Sequence, residues 1–347
     1  MYDSDTATVT AALTGANPTV FNDDTINKIL SLTTSSGDTT VTFTAASPDV
    51  NGNVTVAAGA EVVLISSSDV TQTPITAPNA PVLIFQGRGG VVATLDDGGT
   101  TPNANQTHVD RVVVGSAGND RIVVADAKNT QIILGSGNST VVAGGGVDTI
   151  TAGLGNSSIT GGNGDYAVVK LAGNASNYTV TQSGGHAVVT NTSSNKTTDI
   201  TKIQYVALDG ANALIFARDS VEASVSTLYQ TAFGRTSEAG GLNYWFDLVR
   251  GGATLKQIAE AFTHSAEFAA KAALSDADFV AGLYQNTFGR AGESGGTDYW
   301  TGALSSGATR ADLITKFAEI GGQNLIVGAI HTEAQVVGNV TIVTGIV

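Results

Sequence analysis

A nine-residue rhythm in the middle of the chain limits what it can fold into. From Gly115 the sequence runs GSAGNDRIV, then, after one extra residue, ADAKNTQII, LGSGNSTVV, AGGGVDTIT, AGLGNSSIT and GGNGDYAVV. Each unit joins a small glycine-rich turn to a short aliphatic strand. Nine residues are too few to fold back as a useful antiparallel hairpin. They suffice for half of one coil, with alternate strands stacking in two parallel sheets. A coil of this kind buries apolar side chains only against its neighbours, so the array needs several coils and a cap. Strands are expected at Val82–Phe85, Val91–Leu95, Arg111–Val114, Arg121–Val124, Gln131–Leu134, Thr140–Val142, Thr149–Thr151, Ser158–Thr160 and Ala167–Leu171.

Composition agrees with thin β-layers. Aromatic residues make up 6% of the 347 and glycine contributes 42, which suits tight turns better than a bulky core. Charged residues are only 13%, yet the net charge is −14, and Asp outnumbers Glu 22 to 8. Asp is a turn residue and a calcium ligand. A nucleic-acid partner would need a basic patch, and none is visible. Cysteine is absent, which excludes disulfides and cysteine-based zinc sites. The opening MYDSDTATVT has neither the basic nor the apolar stretch of a secretory signal peptide. No apolar run reaches the roughly 18 residues that a transmembrane helix needs. The expectation is a cytosolic chain, one exported by a route that does not read the N-terminus, or a mature form.

The flanks read differently. Residues 1–80 carry short β-branched runs at Thr39–Phe43, Val54–Val56 and Val62–Ile65, broken by turn sequences, and are expected to form a β-rich layer; Asp24–Leu32 could be a helical turn. Residues 81–171 hold the coiled array. Residues 172–218 alternate in period two across polar turns, as antiparallel capping strands do. From 219 the texture is helical, and a second repeat appears. LYQTAFGRTSEAGGLNYWFDLVRGGATLKQIAEAF from Leu228 matches LYQNTFGRAGESGGTDYWTGALSSGATRADLITKF from Leu283, with 15 identities in 35 positions at a constant offset of 55. Thr254 and Thr309 stand where N-caps belong, with Gln257 and Asp312 three residues on. Gly234 and Gly289 fit helix C-caps. The last stretch, Val336–Val347, is aliphatic and uncharged.

The nonapeptides resemble the G-G-x-G-x-D-x-U-x units of RTX proteins. That resemblance implies secretion by a bacterium, a parallel β-roll, and calcium in the turns. The duplicated unit, roughly residues 219–325, is similar to a bacterial helical family known only as domain of unknown function number 4214. The similarity rests on "FGR", "GG", "YW" and "GAT", each present twice. The fold expected is multidomain and mainly β. It comprises a β-rich N-terminal layer, a parallel β-roll or β-solenoid with an antiparallel β cap, an all-α C-terminal domain, and a terminal β-strand over 326–347. By the same resemblance that last segment serves as a type I export signal, as an assembly strand, or as both.

In an RTX roll, calcium is held by the Asp at position six of one unit and of the unit two further on. Here position six holds Asp120, Thr130, Ser139, Asp148, Ser157 and Tyr166, so no pair is complete. Position five holds Asn119, Asn129, Asn138, Val147, Asn156 and Asp165. Asn bonds local backbone readily, and a ladder of them would hold the turns without metal. Candidate calcium ligands are Asp120, Asp126, Asp148 and Asp165.

No catalytic constellation is present. His108, His186, His264 and His331 lack metal spacing, and there is no nucleophile elbow or phosphate loop. Tyr244–Trp245 and Tyr299–Trp300 are expected in the helical core, with a sugar platform as the lesser reading. Arg235 with Glu238 and Arg290 with Glu293 are expected as local ion pairs. Together these features point to a secreted, non-enzymatic bacterial surface protein, S-layer-like, assembling as a homo-oligomeric lattice promoted by calcium. The anchor expected on the cell is outer-membrane lipopolysaccharide or surface glycan. The alternative is an RTX-like adhesin or matrix protein that binds glycan.

Overall fold

The structure, a computed structural model, describes residues 2–16, 20–34, 40–163, 166–183, 185–323, 335–337 and 340–344. It contains an N-terminal, mainly parallel β region of many strands and a C-terminal helical region. The chain forms two units, residues 1–171 with 188–203, and residues 172–187 with 204–347.

The first unit opens with β1 (Tyr2–Asp5), α1 (Thr6–Ala16), α2 (Asp23–Thr33), β2 (Thr40–Ala46), β3 (Val62–Ser66) and β4 (Thr73–Thr76). Next come β5 (Val82–Gln86), β6 (Val91–Leu95), β7 (Arg111–Val114), β8 (Arg121–Val124) and β9 (Thr130–Ile133). β10 (Ser139–Val142), β11 (Asp148–Thr151), β12 (Ser157–Thr160) and β13 (Ala167–Lys170) complete the run. After β14 (Tyr178–Ser183) and β15 (His186–Asn191), β16 (Thr197–Thr201) returns to it.

Strands alternate between two sheets, in the orders β1-β2-β3-β5-β7-β9-β11-β13 and β4-β6-β8-β10-β12-β16. This alternation is consistent with a β-roll. β1 lies antiparallel to β2, while the paired strands from β2 onward run parallel. The register lines up two aliphatic columns. One is Val63, Leu83, Val113, Ile132, Ile150 and Val169. The other is Ile75, Ala93, Ile122, Val141, Ile159 and Ile200. All twelve side chains are buried. Each strand therefore contributes an apolar anchor that only the next coil can cover.

The N-terminal region departs from the sequence expectation in two ways. α1 stands where a β-layer was expected, whereas α2 covers the helical turn expected over Asp24–Leu32; β2, β3 and β4 already belong to the parallel array. The helices have local causes. The Asp5 carboxylate accepts the N–H (2.8 Å) and hydroxyl (2.9 Å) of Thr8, and Asn22 caps α2 by accepting from Thr25 N–H at 3.0 Å. They also meet a need. Val62–Ile65 and Val82–Phe85 are continuously apolar, so both faces of those strands need cover. Val9 and Leu13 of α1 and Ile26 and Ile29 of α2 supply it, packing with Phe43, Val62, Val82 and Val112.

Within the segment expected to cap the array, β15 and β16 are neighbours in the second sheet. β16 adds in parallel to β12, with Ser157 opposite Thr198. β17 (Tyr205–Ala207) and β18 (Ala213–Ala217), in the second unit, are antiparallel.

In the second unit the helices are α3 (Ser220–Phe233), α4 (Ala239–Arg250), α5 (Leu255–Thr263), α6 (Ala269–Ala272), α7 (Asp276–Phe288), α8 (Ser294–Ser305) and α9 (Arg310–Gln323). Two short strands follow, β19 (Gln335–Val337) and β20 (Val340–Thr344). β20 pairs in parallel with β18, so Val340–Thr344 of the aliphatic C-terminal stretch adds to a sheet of its own chain, while 324–334, 338–339 and 345–347 lie outside the described residues. The helical core centres on Phe246, Phe262, Phe268, Phe279 and Phe317 and includes Ala213, Ile215 and Ala217 of β18. The caps fall where expected. Thr254 and Gln257 form a capping box, Thr309 exchanges bonds with Asp312, and Gly234 and Gly289 are left-handed at φ 73° and 66°.

Candidate functional site: the turns of the β array

Position five builds a ladder. Asn119 Oδ1 accepts from Asn138 N–H at 2.8 Å, Asn138 Oδ1 from Asn156 N–H at 2.8 Å, and Asn156 Oδ1 from Thr197 N–H at 3.1 Å. Each side chain thus ties its own turn to the turn one coil on. On the other edge Asp110 Oδ2 accepts from Asn129 N–H (2.9 Å) and Asn129 Oδ1 from Val147 N–H (2.8 Å). Asn129 also donates to the carbonyls of His108 (2.8 Å) and Asn105 (3.2 Å). Stacking this tight needs glycine. A Cβ on Gly137 would lie 2.0 Å from the Gly118 carbonyl oxygen, and one on Gly155 2.2 Å from that of Gly137.

Position six turns inward. Asp120, Thr130, Ser139, Asp148 and Ser157 are all buried, because the residue stands at or beside the start of a strand, where its side chain faces the interior. Asp120 and Asp148 make the same pair of bonds on opposite edges. Asp120 Oδ2 accepts the N–H of Ser116, four residues back, at 2.8 Å, and Oδ1 accepts that of Val91 at 3.0 Å. Asp148 Oδ2 accepts from Gly144 N–H, again four back, at 2.6 Å, and Oδ1 from Thr130 N–H at 3.0 Å. Val91 and Thr130 are the residues one coil below in register. Ser116 Oγ adds a third bond to Asp120 at 2.6 Å. Burial pushes the Asp148 carboxyl up to about 7, against the pull of its two N–H donors and of Arg111. Burial also raises Asp120.

Asp126 lies in a three-carboxylate cluster with Asp96 and Asp97, their oxygens within 4.8 Å of one another. Two cations already answer that charge. Arg111, 2% exposed, grips Asp126 with both terminal nitrogens at 2.8 Å. Lys128 Nζ reaches Asp97 at 3.0 Å. Asp126 further accepts the N–H groups of Asp97 and Lys128. The fourth candidate ligand, Asp165, lies outside the described residues. The structure therefore brings Asp126 together with Asp96 and Asp97, and keeps Asp120 and Asp148 apart in separate turns. Asp110 and Arg111 are participants that sequence reasoning missed, and Asp96 and Asp97, which read as solvated turn acids, belong to the cluster. The Arg111–Asp126 pair joins a strand residue to a turn residue 15 positions on, and no local pattern announces it.

A cleft of about 200 Å³ beside Phe21, Phe85, Val114 and Ser136 has no titratable side chain in its lining. No helix among the described residues is long and apolar enough to cross a membrane.

In the duplicated helices the aromatic pairs divide. Trp245 and Trp300 pack against the core, whereas Tyr244 and Tyr299 are 56% and 67% exposed, which corrects the expectation that both rings are interior. Trp245 donates to Tyr229 Oη at 3.0 Å. The arginines brace their turns. Arg235 pairs with Glu238 at 2.8 Å and lies over the rings of Tyr229 and Phe233; Arg290 pairs with Glu293 at 3.6 Å and lies over Tyr284 and Phe288. The two copies have diverged at buried positions. Leu242 and Phe246 are buried in α4, and the residues 55 further on in α8 are Thr297 and Thr301.

The family model described as "Domain of unknown function (DUF4214)" matches twice, over residues 216–272 and 259–320. This places the family's likeness on the helical region. No curated protein and no solved structure matches the chain.

Proposed function

We propose that this chain is a structural, self-assembling bacterial surface protein of S-layer type, exported by type I secretion. The observation that carries the reading is the ladder. Asn119, Asn138 and Asn156 spend their side chains on joining coil to coil, and Asp120 and Asp148 do the same from inside. Polar groups used this way make a stiff repeating body. Rigid repeats set spacing in an assembly, and terminal segments make the joints. At a net charge of −14, copies repel one another, and calcium would act between chains by bridging exposed carboxylates. Electron microscopy of the purified protein with and without millimolar calcium tests this. Ordered sheets, tubes or rings that chelator dissolves are expected. Dispersed particles under both conditions would refute it.

A second reading, a secreted adhesin or matrix protein that recognises glycan or a surface ligand, is favoured by one observation. Tyr244 and Tyr299 stand exposed at equivalent places in both helical copies. Glycan-array binding that disappears in the double alanine variant would establish it.

A further inference from the structure

We infer that the turns of this β array are closed by side-chain-to-main-chain hydrogen bonds in place of calcium, so that the array folds with the ion absent. The nonapeptide pattern implies calcium at position six, and the residues found there do not fit it. Ca²⁺ requires six to eight oxygens, several of them carboxylate, with lone pairs free to face the ion. Both oxygens of Asp120 and of Asp148 instead face N–H donors, at 2.6–3.0 Å. A cation placed there would meet the positive ends of those donors.

The partner position fails too. In an RTX roll the second carboxylate comes from the unit two away. Thr130 occupies that place for Asp148, and its contribution is an N–H aimed at the carboxylate. For Asp120 the corresponding residue is Ser139, whose buried hydroxyl makes no hydrogen bond among the described residues. The Asp96–Asp97–Asp126 cluster could receive a cation at Asp126 only by displacing Arg111, which is buried and bidentate.

What calcium does in such turns is to hold successive coils in register. Here that task has been taken over. Asn119, Asn138 and Asn156 link four successive coils on one edge, and Asp110 and Asn129 link three on the other. Asp120 and Asp148 add one inter-coil bond each from within. These bonds form as the coils stack and need no external ion. The inference concerns folding inside one chain. It is separate from the proposal that calcium bridges chains.

The test is far-UV circular dichroism of the full chain, dilute enough that light scattering shows it dispersed, in EDTA and in millimolar CaCl₂. The β spectrum and its urea midpoint are expected to coincide in the two buffers. Asn138→Ala and Asn129→Ala are each expected to lower the midpoint, and for either variant the drop is the same with and without calcium. Loss of the β signal in EDTA, its return with calcium, or a calcium-dependent rise of the midpoint would overturn the inference. A midpoint unmoved by Asn138→Ala, the variant at the exposed and therefore milder position, would overturn the role given to the ladder. If microscopy shows no assembly while the spectra coincide, the lattice reading fails and this inference stands.

Discussion

Replacing Asn129 by alanine should weaken the β array several times more than the same change at Asn138, although both occupy position five. Asn129 is 1% exposed and its side chain makes three bonds, from Val147 N–H and to the carbonyls of His108 and Asn105. A neutral hydrogen bond contributes about 1 kcal/mol net, and a buried donor left without a partner costs about 1–3 kcal/mol. Val147, 8% exposed, would have its N–H stranded. The expected loss is about 3–5 kcal/mol. Asn138 is exposed and accepts one bond, from Asn156 N–H, which water can replace. Its loss should be about 0.5–1 kcal/mol. Asn129→Asp keeps the acceptor for Val147, but it sets a carboxylate against two carbonyls and should also destabilise. The assay is urea unfolding followed by circular dichroism, with the midpoint and slope fitted together. Tryptophan fluorescence would mislead here, because Trp245 and Trp300 both lie in the second unit. If Asn129→Ala costs no more than Asn138→Ala, the argument from burial and bond count is wrong.

Further outcomes follow from other sites. Asp126→Ala strands Arg111 as a buried, uncompensated cation and should cost the array about 3–5 kcal/mol in the same urea assay. Glu222, fully buried, holds Arg250 at 2.8 Å and the Arg218 N–H at 2.7 Å; Glu222→Ala leaves two partly exposed arginines that water can reach and should destabilise the second unit by about 1–3 kcal/mol, read by tryptophan fluorescence. Asp148 gives a pH dependence. Its folded value, about 7, exceeds the unfolded value near 3.8, so its protonated form favours folding. That stabilisation is fully present below the unfolded value and is lost as pH rises to about 7, with a ceiling of about 4 kcal/mol. Arg111 and Asp126 are the charged groups that act on it, in opposite senses. The midpoint of the wild type, compared with that of Asp148→Asn between pH 4 and pH 8, should show this slope in the wild type and not in the variant. Tyr244→Ala and Tyr299→Ala, at exposed positions, should leave thermal stability within about 0.5 kcal/mol.

Much of the array could be read from the residues. The nine-residue spacing placed β6, β7 and β8 to the residue, and the others of the run to within one. The Asn ladder was legible because Asn at a fixed turn position has few other uses. Asp24–Leu32 was legible as helical, whereas α1 was misread because its Thr and Val weigh toward strand. The stronger local signals were Asp5 before Thr8 and Asn22 before two acidic residues, both N-cap patterns. The continuous apolar runs of β3 and β5 were a further clue that something had to cover their outer face. At the turns, sequence supplied the residues and not their direction. Asp120 and Asp148 look like ligands by position, and only their place at the edge of a strand shows that they face inward. Arg111 gave no local sign of its pairing with Asp126, because partners 15 residues apart meet only once the coils stack. The Tyr–Trp pairs show the same limit. Neighbouring aromatics on a helix point about 100° apart, so one ring packs inside while the other looks out.

The most direct measurement is amide hydrogen exchange of the dispersed protein in EDTA, resolved at Val91, Thr130, Gly144 and Val147. These N–H groups donate to Asp120, Asp148, Asp148 and Asn129. The account predicts slow exchange at all four, unchanged by calcium. Fast exchange that becomes slow only when calcium is added would contradict it.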